Sequence, residues 1–106
     1  MRRVFVASPY AGDIKRNELY VLRCIADCLR RGEAPYAPHA IYPRVLDDGD
    51  PEQRELGISA GLVWLDGAHA LAVYTDYGES RGMKAEIDYA LASDLPIERR
   101  SIGKNG

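Results

Sequence analysis

The residue types best suited to chemistry lie together in residues 78–97, which read GESRGMKAEIDYALASDLPI. A glycine-bounded loop leads into a predicted helix, and Ser80 stands where its side-chain oxygen would cap the first-turn amides. The partial positive charge of that helix end suits a phosphate or a carboxylate. Arg81 would add charge, Gly82 would let a ligand come close to the backbone, and we count Met83 with them as a substrate-binding residue. We expect an anion site here, with an ordinary capped helix as the alternative.

Glu86 is the second candidate in this stretch. Met83, Ile87, Ala90 and Leu91 define the expected buried stripe of the helix, and Glu86 lies on its margin. While the helix end holds the phosphate of a sugar, a carboxylate at this position could meet a carbon of that sugar. It would then act as a nucleophile or stabilise an oxocarbenium-like centre. The alternative is a solvated or ion-paired surface glutamate.

Further candidates follow the predicted strands and the second helix. Ser8, Pro9 and Tyr10 come directly after the first strand, where the turn would bind substrate. Tyr10 would stack on a base or be an ordinary loop tyrosine. His39 follows the second strand, and a neutral imidazole there could bond to substrate or shuttle a proton, although a single histidine is often structural. Arg54 could contact a phosphate or remain a solvated charge.

Alternating strands and helices must position these side chains. We predict strands at RRVFVAS, EAPYAPH, HALAVY and LPIERRSI, and helices at ELYVLRCIADCLRRG, PEQRELGISAGLVWLDG and RGMKAEIDYALAS. This order predicts an α/β three-layer, flavodoxin- or Rossmann-like fold with a parallel sheet of about four strands and helices on both faces. Ligands of such sheets bind beyond the carboxyl ends of the strands. The loops SPYAGD, PHAIYPR and TDYGES should therefore share the site.

The first helix is predicted from apolar residues at helical spacing, which are Leu19, Leu22, Ile25, Ala26 and Leu29. Its two cysteines, Cys24 and Cys28, match neither a C-x-x-C redox motif nor a zinc site, so we interpret them as reduced thiols filling the core. The sequence contains no metal-ligand cluster, G-x-S-x-G elbow or G-x-G-x-x-G motif. These patterns argue against a metal, a dinucleotide cofactor and a hydrolase triad, and we expect no cofactor.

Length and composition indicate one small domain over residues 1–106. Charged residues are 28% and apolar residues 46%, as in a soluble globular protein. The net charge of -2 gives no basic surface suited to a nucleic-acid duplex, whereas a small anion needs only local positive charge. No apolar run approaches the roughly 20 residues of a membrane span, and the first residues lead into a strand rather than a signal-peptide core. We predict a cytoplasmic protein that has no membrane partner.

The chain resembles the nucleoside 2-deoxyribosyltransferase-like superfamily, and is most similar to its small phage and bacterial domains. VFVASPYAG resembles the opening strand and turn of that group, APHAIYP and PEQRELGISAGLVWL its middle, and GESRGMKAEIDYA its most specific helix. The resemblance implies that Glu86 attacks the anomeric carbon of a deoxyribonucleoside to form a glycosyl-enzyme, which water or a second base resolves. It also implies that Ser80 binds a 5'-phosphate, as in the 2'-deoxynucleoside 5'-phosphate N-hydrolases, where the transferases carry aspartate.

Three positions depart from the pattern of that superfamily. Phe5 replaces a tyrosine that helps to position the glutamate, Gly61 replaces a catalytic aspartate, and His69 replaces an aspartate before the third strand. Proton transfer to the leaving base would then fall to His39 or Asp76.

Three hypotheses follow. The first is an N-glycosidase or deoxyribosyltransferase acting on a nucleotide or nucleoside. The second is a nucleotide-binding or sequestering module of phage origin without turnover, and the third is a purely structural subunit. In each case we expect a homo-oligomer, because relatives assemble and a four-stranded sheet leaves apolar helix surface to cover.

Overall fold

The computed structural model describes residues 1–104 of the chain. Its strands are β1 (Arg3–Ala7), β2 (Ala34–Tyr36), β3 (Ala70–Tyr74) and β4 (Ile97–Arg100), and its helices are α1 (Ile14–Arg30), α2 (Pro51–Asp66) and α3 (Arg81–Ala92). Two short 3-10 turns, Pro38–Ala40 and Tyr42–Arg44, follow β2 and were not predicted. The strands pair in parallel in the order β2-β1-β3-β4. The predicted α/β three-layer fold is confirmed.

The side chains of β1 alternate between the two faces of the sheet. Val4 and Val6 pack with the buried side of α1, whereas Phe5 and Ala7 pack with α2 and α3. The chain moves from β1 to one edge through α1, and then crosses to the other side of β1 through α2. Strand order therefore reverses between β1 and β3, and the carboxyl ends of these two central strands border the crevice where such folds bind ligands.

The buried face of α1 differs from the predicted stripe. Leu19, Leu22 and Leu29 are 60%, 58% and 58% exposed. The residues of α1 that are buried instead form a second set at helical spacing, namely Asn17, Tyr20, Val21, Cys24 and Cys28. Both cysteines are buried and free, as predicted. The prediction of the face was wrong because α1 is apolar on two sides, and spacing alone does not say which side meets the sheet.

A second correction concerns Leu91 of α3, which is 64% exposed although Met83, Ile87 and Ala90 are buried as expected. The buried stripe of α3 is therefore narrower than predicted, and Leu91 lies just outside it.

A buried ion-pair network ties the outer strands to the centre of the sheet. Arg100, at the end of β4, donates through Nη1 and Nη2 to the carboxylate of Glu33, each over 2.8 Å. Arg2 reaches the same carboxylate over 2.8 Å. The hydrogen bonds from Arg100 hold the pKa of Glu33 down to about 2, so this carboxylate stays ionised. The network spans the sheet from β4 to the start of β2, beneath α1. Among residues 1–104, no helix is long and apolar enough to cross a membrane.

Candidate functional site

Ser80 caps the amino-terminal end of α3, and the first turn of the helix leaves room for a ligand. Ser80 Oγ accepts from the amide of Met83 over 3.3 Å, and the Ser80 amide meets Met83 Sδ at 3.4 Å. The serine hydroxyl still has its own proton to donate. A Cβ built at Gly82 would meet no atom within 4 Å, so there is room above the first turn.

The charges around this helix end favour an anion. The first turn of α3 carries no acidic residue that would offset its positive end. The neighbouring Glu79 is directed away, because its carboxylate pairs with Arg99 at 2.8 Å. Arg81 is exposed, and within residues 1–104 no carboxylate forms an ion pair with it. An incoming phosphate would find free amides, a hydroxyl proton and a guanidinium at one place.

Glu86 lies on the side of α3 that faces α2. Tyr89, which is one turn further along, donates its hydroxyl to Asp66 at the end of α2 over 2.9 Å. Glu86 is half-buried, and in the described part of the chain no donor bonds to its carboxyl group. Burial raises the pKa of Glu86 to about 8, so the group holds a proton at neutral pH in the free protein. A half-buried carboxyl group without a donor is the most unusual titratable group near this edge.

Residue 5 is a buried phenylalanine on the face of the sheet that α3 covers. Phe5 is only 1% exposed and packs in the same cluster as Met83 and Ile87 of α3. A phenyl ring has no hydroxyl to donate. This face of the sheet therefore presents an apolar ring to α3 at residue 5.

Ser8 and His39 meet at the carboxyl ends of β1 and β2. Ser8 Oγ lies 2.6 Å from His39 Nε2, and Ser8 is only 6% exposed. Burial lowers the pKa of His39 to about 4, so the imidazole is neutral at physiological pH. The sequence predicted each residue as a candidate from its position after a strand. It does not show that the two form a hydrogen bond.

His39 and Glu86 both lie towards the carboxyl edge of the sheet. His39 comes after the end of β2, and its neighbour Pro38 packs against Gly61 of α2, where a Cβ would lie 3.5 Å from the proline ring. Glu86 lies on the second turn of α3, the helix that follows β3, and α3 is joined to α2 by the Tyr89–Asp66 hydrogen bond.

Asp76 does not fit the role of proton donor to the leaving base. Its carboxylate accepts from Tyr20 over 2.6 Å, from Ser101 Oγ over 2.6 Å and from the amide of Gly103 over 2.7 Å. Although burial opposes it, this set of donors holds the pKa of Asp76 well below its usual range. An ionised carboxylate with its oxygens already bonded does not supply a proton to a leaving base. Tyr20, which sequence reasoning missed, belongs to the buried face of α1.

The remaining sequence candidates are dispersed along the same edge. Pro9 is buried and Tyr10 is half-buried in the turn after β1. The carbonyl of Tyr10 is held by Asn17 Nδ2 over 2.9 Å, which fixes the turn on the start of α1. Arg54 is exposed, two turns before Gly61 on the same side of α2. It lies near the carboxyl edge, and within residues 1–104 no side-chain hydrogen bond or ion pair joins it to the other candidates.

Two surface cavities lie away from these residues. One, of about 550 Å³, is lined by Pro51, Glu52, Glu55, Leu56 and Ser59 on α2. The other, of about 500 Å³, is lined by Arg16, Leu19, Tyr20, Leu22, Arg23, Tyr77 and Lys104 beside α1. Neither is lined by Glu86 or His39. The candidate site lies instead at the strand-order reversal between β1 and β3, where the loops of such folds form a ligand crevice.

Comparison with known proteins supports the fold. The model of the family described as Domain of unknown function (DUF7768) matches residues 2–100. No curated protein matches the sequence significantly. Among solved structures, a 2-deoxyribosyltransferase from Bacillus psychrosaccharolyticus superposes with a TM-score of 0.76 at 15% identity, over 95% of this chain and 73% of that one. A conserved protein from Enterococcus faecalis V583 superposes with a TM-score of 0.61 at 19% identity, over 93% of this chain and 62% of that one. At these identities the likeness shows a deoxyribosyltransferase-like, flavodoxin-like fold.

Proposed function

The chain belongs to the DUF7768 family, and we propose that it is an N-glycosidase or deoxyribosyltransferase-like enzyme for nucleoside 5'-monophosphates or nucleosides, with Glu86 as nucleophile. The observation that carries this proposal is the half-buried, donor-free carboxyl group of Glu86, which lies on the second turn of a helix whose amino-terminal end is open to an anion. Similarity to the fold of a 2-deoxyribosyltransferase supports it.

The proposed reaction begins with substrate binding. The 5'-phosphate docks on the first-turn amides of α3, with the Ser80 hydroxyl and Arg81 as further donors. This anchors the sugar above the second turn, where its anomeric carbon meets Glu86. Because the phosphate is fixed away from the reacting atom, its binding energy orients the sugar for attack.

The chemical step breaks the bond between the anomeric carbon and the base. The carboxylate of Glu86 forms a glycosyl ester as the electron pair of the broken bond leaves with the base. Water, or a second base in a transfer reaction, then displaces Glu86 from the sugar. Only the ionised carboxylate attacks, and the pKa of Glu86 in the free protein is about 8. The value of kcat/KM should therefore rise with pH up to about 8.

A second candidate function is nucleotide binding without turnover. Phe5 and Gly61 favour it. The superfamily that the chain resembles has a tyrosine hydroxyl at the first position and an aspartate carboxylate at the second, and this chain has neither group. Such a module would gain stability from a nucleotide, since a ligand that binds only the folded state raises the free energy of unfolding. It would release no base.

The experiment that separates the two is a base-release assay with a panel of deoxynucleoside 5'-monophosphates and nucleosides. We expect free base from at least one substrate, loss of release in Glu86→Gln, and unchanged release in Asp88→Asn, an exposed acidic position on the same helix. Thermal stabilisation by a nucleotide with no base released would favour the binding module. Base release that persists in Glu86→Gln would remove Glu86 as nucleophile.

A further inference from the structure

We infer that Ser8 is a positioning residue that fixes His39 in the tautomer whose Nδ1–H faces the departing base. The inference rests on the proposed function, because it assigns the group that stabilises the base as it leaves. It goes beyond that function in naming the tautomer and the residue that sets it.

The first step is the direction of the Ser8–His39 hydrogen bond. The two atoms are 2.6 Å apart, and Ser8 is 6% exposed. If Nε2–H donated to Ser8 Oγ, the buried serine would need another acceptor for its own proton, and none contacts it within residues 1–104. A buried hydroxyl without a partner is destabilising, whereas Nδ1 of His39 is not among the fully buried unpartnered atoms of the described residues, so a proton there can meet solvent or a ligand. The serine therefore donates to Nε2, and the ring proton sits on Nδ1.

The second step is the rigidity of both partners. Ser8 follows β1 at the centre of the sheet, and His39 lies in the turn Pro38–Ala40. That turn is closed by the amide of Ile41 donating to the Pro38 carbonyl over 2.9 Å, and Pro38 packs against Gly61 of α2. The backbone that carries His39 is thus held against α2, and the Ser8 hydroxyl holds the ring. In the described part of the chain no acceptor bonds to its Nδ1.

The third step is chemical. When the glycosidic bond breaks, its electron pair moves onto the base, and the base leaves as an anion. A fixed Nδ1–H donor would bond to a ring nitrogen or exocyclic oxygen of the base, where that negative charge develops. The base then takes its proton from water after departure, so the imidazole gives up none and stays neutral. The low pKa of His39 supports this role, because a neutral ring keeps one defined N–H.

The test begins with nitrogen-15 NMR of the imidazole rings in the unmodified protein. His69 is an internal reference, because its Nδ1 accepts from the amide of Arg3 over 2.8 Å and its proton must therefore lie on Nε2. We expect the two histidines to show opposite tautomers, with the Nδ1–H form at His39. An Nε2–H form at His39 would overturn the inference, whatever the outcome of the activity assays.

The second readout compares leaving groups. A 7-methylguanine nucleotide carries a positive charge on its base, which leaves neutral and needs little stabilisation. We expect Ser8→Ala to slow release of an ordinary purine about tenfold and His39→Ala about 100-fold, while release of 7-methylguanine stays nearly unchanged. Equal losses on both substrates would assign the pair a structural role and overturn the inference. No release of any base by the unmodified protein would instead reject the proposed function, while the tautomers still report on the Ser8–His39 bond.

Discussion

The hydroxyl of Tyr20 donates to Oδ2 of Asp76 over 2.6 Å, and the amide of Asp76 donates back to the Tyr20 oxygen over 3.1 Å. This pair of bonds joins α1 to the loop that leads from β3 to α3. The other oxygen of Asp76 binds Ser101 and Gly103, which follow β4. Three separate parts of the chain therefore meet at one carboxylate, and the loop that delivers Ser80 to the site begins at this junction.

We predict that Asp76→Asn lowers the free energy of unfolding by at least about 2 kcal/mol at neutral pH, because several charge-assisted hydrogen bonds weaken together. The pKa of Asp76 is depressed in the folded state, so its contribution is complete above the ordinary carboxyl pKa and is lost as the pH falls below it. Urea denaturation at several pH values checks this. The deficit of the variant should shrink on acidification, and a deficit independent of pH would contradict the assignment.

The pH dependence of the stability contributed by Glu86 should be opposite to that of Asp76. Its folded pKa of about 8 lies above the ordinary value of 4.5, so between these values the folded state keeps a proton that the unfolded state releases. The free energy of unfolding therefore falls as the pH rises from about 4.5 to about 8. We predict that Glu86→Gln, which does not titrate, is more stable than the unmodified protein by about 4 kcal/mol at pH 8 and nearly equal to it at pH 4. Asp88→Asn, the matched exposed control, should show no such pH-dependent gain.

A substitution at Gly82 should raise the free energy of unfolding and at the same time weaken nucleotide binding. Gly82→Ala places a methyl group where no atom lies within 4 Å and favours the helical backbone, so we expect a gain of about 0.5–1 kcal/mol in the free energy of unfolding. The same methyl group would stand in the approach of a phosphate, and stabilisation by 2'-deoxyadenosine 5'-monophosphate should fall. Asp88→Ala provides a control, because it also favours the helix but lies away from its amino-terminal end. Equal nucleotide-induced shifts in melting temperature for both variants would argue against a phosphate at this helix end.

The sequence predicted the elements well because each carries a local signal. Pro51 begins α2, Ser80 caps α3 and the apolar run of β3 is buried throughout, as its composition indicated. The start of α1 was less clear, since the helix begins at Ile14 behind an Asp13 cap, before the predicted start at Glu18.

What the sequence could not predict depends on contacts between distant segments. Leu22 and Tyr20 both fit a helical stripe, and only the sheet decides that Tyr20 points inward and Leu22 outward. Asp76 was a candidate acid because it follows a strand, yet its role depends on donors that arrive from α1 and from the segment after β4. Position alone gave Ser8 and His39 as separate candidates. Their hydrogen bond follows from the pairing of β1 with β2, which brings the ends of the two strands together.

The most direct measurement of the central claim is to trap the glycosyl-enzyme. A 2'-fluoro substituent on an arabino-configured nucleoside 5'-monophosphate destabilises the oxocarbenium-like transition state and slows both formation and breakdown of the ester. With an activated leaving base, the intermediate should accumulate. We predict that mass spectrometry of the intact protein shows one added fluoroarabinosyl phosphate, that peptide mapping places it on Glu86, and that Glu86→Gln carries none. An unmodified protein under conditions in which the normal substrate is cleaved, or an adduct on another residue, would contradict the account.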